Sequence, residues 1–456
     1  MDRRRRAIAF LVAGCFFMEN LDGTIVIVAA PVIARDLGVT SASVAITVTA
    51  FFLTVAVLIP VSGWLTERFG VRRVFSCAIA VFTVASLLCA LSTSLPMLVG
   101  MRVLQGVGGA LMVPVGRLAV LRSTPTAEII RAIAILVWPG LVAPIVAPFV
   151  GGLIASYASW HWIFLINVPL GVVAWIVALR IIPESEPPET TRLDVVGLVA
   201  VVIGLGSLVW GTSAVSESGI DVVTFAVGTG VGLVCTVLAV RHLLRTPAPL
   251  VDLRAFRFES FRVANAGGSV YRATISAVPF LLPLLFQDAF GWTPLEAGTI
   301  VLVLFVGNLA IKPATTWMLR TFGFRGVLVG SNAVGIACMV VMALLEASTP
   351  LLLSVLLLFV SGAARSSGFT AYSTIAFADI DADEMTAANV LNATLQQVAT
   401  GIGVAVGGLA LAAGFAFGPG LVPYRFAFLA LAALTLIPLI EALLLSRDAG
   451  RTLTRR

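Results

Sequence analysis

The 456 residues are 59% hydrophobic and only 11% charged, with a mean hydropathy of +1.06. Ordinary globular usage is about 25% charged, so a water-soluble domain is excluded and the surplus apolar surface must face lipid. The net charge of +6 comes almost wholly from arginine scattered in short connections, a pattern that reports membrane topology and not nucleic-acid binding.

Apolar stretches of about 20 residues, each long enough to cross the ~30 Å hydrocarbon layer as a helix, follow one another along the chain. They begin near Ala7, Val44, Val74, Leu95, Ile133, Trp162, Val195, Val222, Val263, Leu295, Val327, Leu351, Asn389 and Phe426, which makes about fourteen spans. The short alternating segments of a membrane β-barrel do not occur. Arg3 to Arg6 ahead of an apolar run imitates a signal peptide. That run carries Glu19 and Asp22 and lacks a small-residue cleavage pattern, so it reads as a retained first helix. The five cysteines lie in apolar stretches without metal-type spacing and read as small buried hydrophobes, with no metal site expected.

An even count of spans places both termini on one side. Arg3 to Arg6, Arg68, Arg72, Arg73, Arg122, Arg131, Arg180, Arg192, the cluster from Arg241 to Arg262, Arg320, Arg325 and the Arg447 to Arg456 tail share that side. Only Arg35 and Arg425 fall opposite. This bias predicts cytoplasmic termini and a multi-pass protein of the cytoplasmic membrane.

The longer polar connections are Pro183 to Leu193, Arg241 to Arg262 and Asp379 to Met385, none long enough for a soluble catalytic domain. They divide the chain into an N-terminal six-helix bundle (1–185), two inserted helices (186–250), and a C-terminal six-helix bundle with its tail (251–456). A repeat supports the division. Trp64-Leu-Thr-Glu-Arg-Phe-Gly-Val-Arg-Arg-Val74 aligns without gaps to Trp317-Met-Leu-Arg-Thr-Phe-Gly-Phe-Arg-Gly-Val327, each copy joining the second and third spans of its half. Two halves related by an axis along the membrane normal, with a substrate path between them, fit this pattern.

Ionisable groups inside spans cost at least about 2.5–3.5 kcal/mol at mid-bilayer on insertion scales, so they are the informative ones. Glu19 and Asp22, three apart on the first helix, are expected on one helical face. At about 1.5 Å per residue Asp22 lies roughly 20 Å from the inner surface, and Arg102 about 10 Å below the outer one, so the two can pair. Burial raises a carboxylate pKa and a nearby arginine lowers it. A carboxylate whose arginine contact changes between transporter states would therefore bind and release protons, which is the role expected of Asp22 with Arg102 as modulator. A static ion pair that only packs helices is the alternative. Glu19 is a second proton site, a substrate contact or a residue lining water. Arg117, Arg272, Lys312 and Arg365 are further cations within spans. Together they are expected to make a positive inner vestibule that favours anionic groups, although Arg117 and Lys312 could instead snorkel to the interface.

The loop from Gly63 to Arg73 combines glycines suited to a tight connection (Gly63, Gly70) with Glu67, Arg68, Arg72 and Arg73 at the inner surface. The fifth span carries Pro139, Gly140, Pro144, Pro148, Gly151 and Gly152, a density that predicts a bend or a close helix contact.

These segments resemble the fourteen-helix drug:proton antiporter family of the major facilitator superfamily, over nearly the whole chain and most closely its shorter multidrug resistance members. Leu21-Asp-Gly-Thr-Ile-Val26 looks like that family's first-helix motif, whose aspartate takes part in proton coupling. Gly63 to Arg73 is similar to the loop motif that locks one conformation, with Glu67 where aspartate is usual. Arg102-Val-Leu-Gln105-Gly106 resembles the fourth-helix motif, whose arginine is implicated in proton transfer. Ala147-Pro148-Phe-Val-Gly151-Gly152 resembles the exporters' fifth-helix motif, with Ala147 in place of the usual glycine. Trp160-His-Trp-Ile-Phe-Leu-Ile-Asn-Val-Pro169 is also typical of the family. Glu19 lies outside the general motif.

The resemblance implies an all-α major facilitator fold and proton-coupled efflux of drugs or amphipathic compounds by alternating access. The expected partners are a small-molecule substrate, protons and lipid, without nucleic acid and with the monomer as functional unit. The proton gradient is the energy source, with no cofactor. Export of an endogenous organic anion is the alternative cargo reading, and sodium coupling remains open because a carboxylate serves either ion. A membrane sensor or enzyme is the distant third. No Gly-rich phosphate loop or hydrolase signature occurs, and the one lysine, Lys312, is inside a span.

Overall fold

The computed structural model describes residues 3–123, 129–184, 193–212, 215–216, 219–246, 249–380 and 385–446. Within them the chain is helical almost throughout, because a backbone surrounded by lipid must satisfy its own hydrogen bonds. The N-terminal half contains α1 (Arg3–Leu37), α2 (Ser41–Phe69), α3 (Val71–Ala90), α4 (Leu95–Ser123), α5 (Ile129–Tyr157), α6 (Trp162–Leu165) and α7 (Asn167–Ile181). Then come α8 (Val195–Thr212) and α9 (Val222–Leu243), joined through a two-residue-per-strand hairpin, β1 (Val215–Ser216) and β2 (Gly219–Ile220). The C-terminal half contains α10 (Glu259–Asn265), α11 (Gly267–Leu284, continued by a π-turn over Leu285–Ala289), α12 (Pro294–Ala310), α13 (Lys312–Met342), α14 (Leu351–Ile375), α15 (Met385–Gly414) and α16 (Val422–Leu444). Among the described residues eleven helices are long and apolar enough to cross a membrane. Three shorter apolar ones, Val142–Tyr157, Val195–Leu208 and Pro294–Ala310, complete a set of fourteen.

Several helices start three or four residues before their apolar runs do: α2 at Ser41, α3 at Val71, α5 at Ile129, α15 at Met385 and α16 at Val422. Polar or short first turns carry no hydropathy signal, yet they are helical because the following turn fixes them. Thr40 caps α2 by accepting from the Ser43 N–H at 3.1 Å. Thr293 and Glu296 form a reciprocal capping box on α12.

The repeated segment builds the same corner twice. Gly70 (φ 80, ψ 151) separates α2 from α3, and Gly323 (φ 69, ψ 172) breaks α13 at the equivalent point. Both sit at positive φ, where a Cβ is strained and glycine is not. Gly63 does not share this role: it is helical inside α2, and a methyl group there would meet nothing within 4 Å. The expectation of a second turn glycine is therefore corrected. The chain turns once, at Gly70, because only there does it leave the helical region.

In the first half α1 packs on α5, α3 on α4 and α7, and α2 on α4; in the second, α11 packs on α15, α14 on α12 and α13, and α13 on α16. The halves meet along α2 against α15, α5 against α12 and α1 against α11. Helices α8 and α9 pair with each other and reach the rest mainly through α8 on α2. Their position is peripheral: the apolar window of α9 is 17% buried, against 78% for the span Glu259–Ala289. Cys15, Cys89 and Cys338 are buried as expected, whereas Cys77 is exposed on α3, a thiol being apolar enough to face lipid.

Candidate functional site

Asp22 projects from α1 into the first bundle, where its side chain and that of Arg102 on α4 are wholly enclosed. Arg102 Nη1 donates to Asp22 Oδ2. Two neutral amides complete the carboxylate's shell: Gln105 Nε2 donates to Oδ1 at 3.0 Å and Asn167 Nδ2, from α7, at 2.7 Å. Three donors on one carboxylate suit its ionised, acceptor-only form. Arg102 is held from its other edges. Its Nη1 also donates to Gln105 Oε1 at 2.6 Å and its Nε to the Thr47 carbonyl at 3.4 Å, while the Phe51 ring lies 4.3 Å from the guanidinium carbon. Gln105 Nε2 continues the network to Ser86 Oγ at 2.8 Å. The packing that permits this depends on Gly106. A methyl there would lie 2.9 Å from the Phe51 carbonyl oxygen and 2.8 Å from Thr54 Cβ, so glycine lets α4 press against α2.

The acids of α1 diverge. Three residues leave about 60° between side chains on a 3.6-residue helix, enough to turn Asp22 into the bundle and Glu19 out of it. Glu19 instead lines a cavity of about 210 Å³ between the halves, together with Thr24, Phe305, Arg365 and Gln397. Glu19 and Gln397 also border a larger chamber of about 560 Å³. That chamber runs toward the N-terminal face past Ser62, Thr66, Arg117 and Asn389.

Of the four further cations, Arg117 borders the larger chamber and Arg365 the smaller cavity. Arg272 does not join them. It is 1% exposed inside the second bundle, where Nη1 donates to the Ala264 carbonyl at 3.2 Å and the guanidinium lies over the Phe369 ring at 5.8 Å. Lys312 Nζ donates to Thr370 Oγ1 at 3.0 Å. The expected four-cation vestibule is thus corrected to two cations and an acid, since helix rotation, which depth counting cannot see, turns Arg272 into the bundle.

The loop after α2 is fixed at Arg72, which donates to Glu184 Oε1 at 2.9 Å and to the Leu179 carbonyl at 2.5 Å beside the end of α7. Arg68 lies against the Trp64 and Phe69 rings, and Arg73 is exposed. Glu67 is half-buried on the last turns of α2. On α5, Pro144 lines the small cavity and Ala147 is fully buried. Pro148 and Gly152 lie at the contact between halves, whereas Gly151 packs on α1 within the first half. A methyl on Gly152 would be 2.4 Å from the Pro294 carbonyl oxygen, one on Gly298 2.1 Å from that of Pro148, and one on Gly151 2.9 Å from that of Ile25. Pro139, Gly140, Arg122 and Arg131 lie among residues whose side chains are not described, and Arg192, Arg447 and the tail lie outside the described residues. Around the contact, Gln287 Nε2 donates to the Val28 carbonyl at 2.8 Å, the Leu295 N–H to Ser156 Oγ at 3.0 Å, and Trp160 Nε1 to Asp36 at 2.8 Å. The first two cross between the halves at the face away from the N-terminus, and the third ties the end of α1 to the connection before α6 within the first half.

Sequence reasoning missed Asn167 as a member of the Asp22 site. The signal was present: an asparagine a turn and a half into an apolar span, at about the depth reached by Arg102 from the same side.

The model of the Major Facilitator Superfamily matches residues 12–265 and 265–455. "Putative multidrug resistance protein MdtD" of Escherichia coli K12 is 36% identical over 406 residues, covering 88% of this chain and 85% of that protein, and the Shigella boydii protein of the same name matches equally. Among solved structures, a bacterial homolog of the human lysosomal transporter Spinster, in an inward-facing conformation, superposes with a TM-score of 0.69 at 15% identity over 100% of this chain and 98% of that one. A D-xylose-proton symporter gives 0.65 at 14% identity, over 97% and 98%. The human organic anion transporter MFSD10 gives 0.61 at 14%, over 97% and 100%. With a family match along nearly the whole chain and a relative this similar, the chain belongs to the Major Facilitator Superfamily of membrane transporters, in the branch that contains MdtD.

Proposed function

We propose that this transporter is a proton-coupled antiporter that exports small amphipathic compounds by alternating access. It works as a monomer in the cytoplasmic membrane with both termini in the cytoplasm, and draws on the proton gradient without a cofactor. The observation that carries the reading is the enclosed Asp22–Arg102 pair with its amide partners Gln105 and Asn167. Asp22 as built accepts from three donors, so a proton can reside there only when a donor withdraws. Arg102 is the donor able to do so. It keeps bonds to Gln105 and Thr47 and a face on Phe51, and its Nη2 has no partner at present. A shift of α4 against α2 would trade the Asp22 contact for these, and the released carboxylate would take a proton. The reverse shift returns Arg102 and expels it. Alternation between halves supplies such a shift, since α2 and α5 belong to the interhalf contacts.

With cytoplasmic termini, the larger chamber runs toward the cytoplasm and the α5–α12 contact closes the far side, which suits loading from within. The MdtD relationship favours drug-like cargo. An organic-anion cargo retains two of its four expected cations, Arg117 and Arg365, and both chambers also border Glu19.

The test is proton movement in inverted vesicles under an imposed pH gradient, with cationic drugs and organic acids screened as cargo. At least one cargo should dissipate the gradient through wild-type protein. Asp22→Asn should reduce gradient-driven export to the leak rate while the protein still inserts and purifies as a monodisperse species. Normal export by that variant would exclude Asp22 as the proton carrier.

A further inference from the structure

The small cavity is lined by an acidic and a basic side chain that form no ion pair with each other. Its lining includes Glu19 of α1, Phe51 and Phe52 of α2, Phe305 of α12, Arg365 of α14 and Gln397 of α15, so it is built by both halves. Glu19 is 7% exposed, and its Oε2 is shut from water with no hydrogen-bond partner. Arg365 Nη1 is likewise buried and unpartnered, while the guanidinium lies 5.4 Å from the Phe305 ring centroid. Among the described residues neither side chain forms an ion pair with the other or with any other group.

A buried charge without a partner is among the costliest features a membrane protein can carry. Two of opposite sign facing one cavity would cancel much of that cost by pairing directly. They stand on different halves, on α1 and α14, and both line the cavity. The arrangement is complementary to a molecule that carries both signs. The rings of Phe51, Phe52 and Phe305 offer an apolar wall for its body, and the continuation past Glu19 and Gln397 into the larger chamber gives room for a longer one.

We propose that this cavity is the cargo site and selects amphoteric small molecules, with Glu19 receiving the ammonium group and Arg365 the carboxylate or equivalent anion. The inference rests on the exporter reading above and gives that cargo a chemical class. It accounts for a Glu19 that Asp22's network does not use, and for Arg365 facing the cavity while Arg272 is packed away. Cargo would then bridge the two halves through its charges, and would exchange its partners for water when the halves separate.

The test uses the full chain in detergent, without a gradient, and three fluorescent probes on one scaffold. Nε-dansyl-lysine carries ammonium and carboxylate, its methyl ester carries only the ammonium, and its Nα-acetyl derivative carries only the carboxylate. The zwitterion should bind about tenfold tighter than either single-charge probe, the value of one partly desolvated charge contact. Glu19→Gln should bring the zwitterion to the level of the acetyl probe without weakening the latter. Arg365→Gln should bring it to the level of the methyl ester, again without weakening that probe. Glu19→Asp and Arg365→Lys should restore part of the preference, which a folding defect would not. Equal affinities for the three probes in wild-type protein, no saturable binding of any, or equal losses for all three in both variants would overturn the proposal. Asp22→Asn separates the two readings. If it loses gradient-driven export but no probe preference exists, only the cargo assignment falls. If the preference stands while Asp22→Asn exports normally, only the proton assignment falls.

Discussion

The two halves repeat one backbone and differ in how they hold charge. Gly70 and Gly323 turn the chain at matching points with nearly the same dihedral angles. Yet the first half gives its buried arginine, Arg102, a carboxylate and an amide, while the second gives Arg272 one carbonyl and a phenyl ring and leaves Nε and Nη2 unpartnered. The repeat thus preserves the corner that sets helix geometry, and the ion pair belongs to one half alone. An enclosed ion pair on one side and a packed cation on the other would make the halves unequal partners in the proposed proton cycle.

The largest effect should come from breaking that inequality. Arg102→Met strands a fully enclosed carboxylate and should destabilise the protein by roughly 3–5 kcal/mol, the usual loss when one partner of a buried pair is removed. Arg272→Met removes a single carbonyl bond together with two unsatisfied donor groups, so it should change stability by no more than about 1 kcal/mol in either direction. Thermal denaturation in detergent compares the two directly. The double variant Asp22→Asn with Arg102→Met should recover much of the loss of Arg102→Met alone, because no charge is then left without its partner. Equal damage from Arg102→Met and Arg272→Met would mean that the second half depends on its cation as much as the first, and the contrast would collapse. Since Arg272 is packed away from both chambers, Arg272→Met should also leave the choice between acidic and cationic cargo unchanged.

The shared part of the comparison is tested at the corners. Alanine at Gly70 or at Gly323 forces a Cβ into the left-handed region and should cost about 1–2 kcal/mol at each site. Gly63→Ala is the contrasting case. That position is helical with open space around it, so alanine should stabilise by roughly 0.5–1 kcal/mol. Melting curves of the three variants rank them. A silent Gly323→Ala would show that the second corner tolerates a different path, and the structural equivalence of the repeat would weaken.

What the sequence made legible follows from these same residues. Spans were readable because lipid imposes a length and a polarity on each of them. The paired corners were readable because the repeat keeps Trp, Phe, Gly, Arg and Val in register. The Asp22–Arg102 contact was within reach because depth along a span is a simple count. Rotation about the helix axis was not. Depth alone placed Arg272 in a vestibule and gave no reason to bring Asn167 from α7 into contact with Asp22, and three-residue spacing put Glu19 on one face with Asp22 without showing that the two turn to different neighbours. Each needs the direction of a side chain, which is set by packing against helices distant in sequence. The Gly63 reading failed for a related reason: a glycine near a corner looks like part of it until the backbone shows where the helix ends. Glycines at close helix contacts, such as Gly106 on Phe51 and Gly152 on Pro294, gain meaning only from the partner each faces.

The smallest effect belongs to the helix pair that lies outside both halves. Asp194 joins the start of α8 to the end of α9: Oδ1 accepts from the Gly197 N–H at 2.8 Å and contacts His242 Nε2 at 2.8 Å, and Oδ2 accepts from the Leu250 N–H at 3.2 Å. Burial opposes its ionisation, but the hydrogen bonds from Gly197, His242 and Leu250 outweigh it and hold the carboxyl below its ordinary pKa. A carboxylate depressed in the folded state stabilises it at pH values above the unfolded pKa, near 4, and that contribution fades as pH falls through the folded value. Wild-type protein should therefore melt a few degrees above Asp194→Asn at neutral pH, and the gap should close on acidification below about pH 4. A gap independent of pH would mean that Asp194 acts through shape alone. Because α8 and α9 touch the rest mainly through α2, this variant should leave the Asp22 network and gradient-driven export intact, in contrast to every substitution at Arg102.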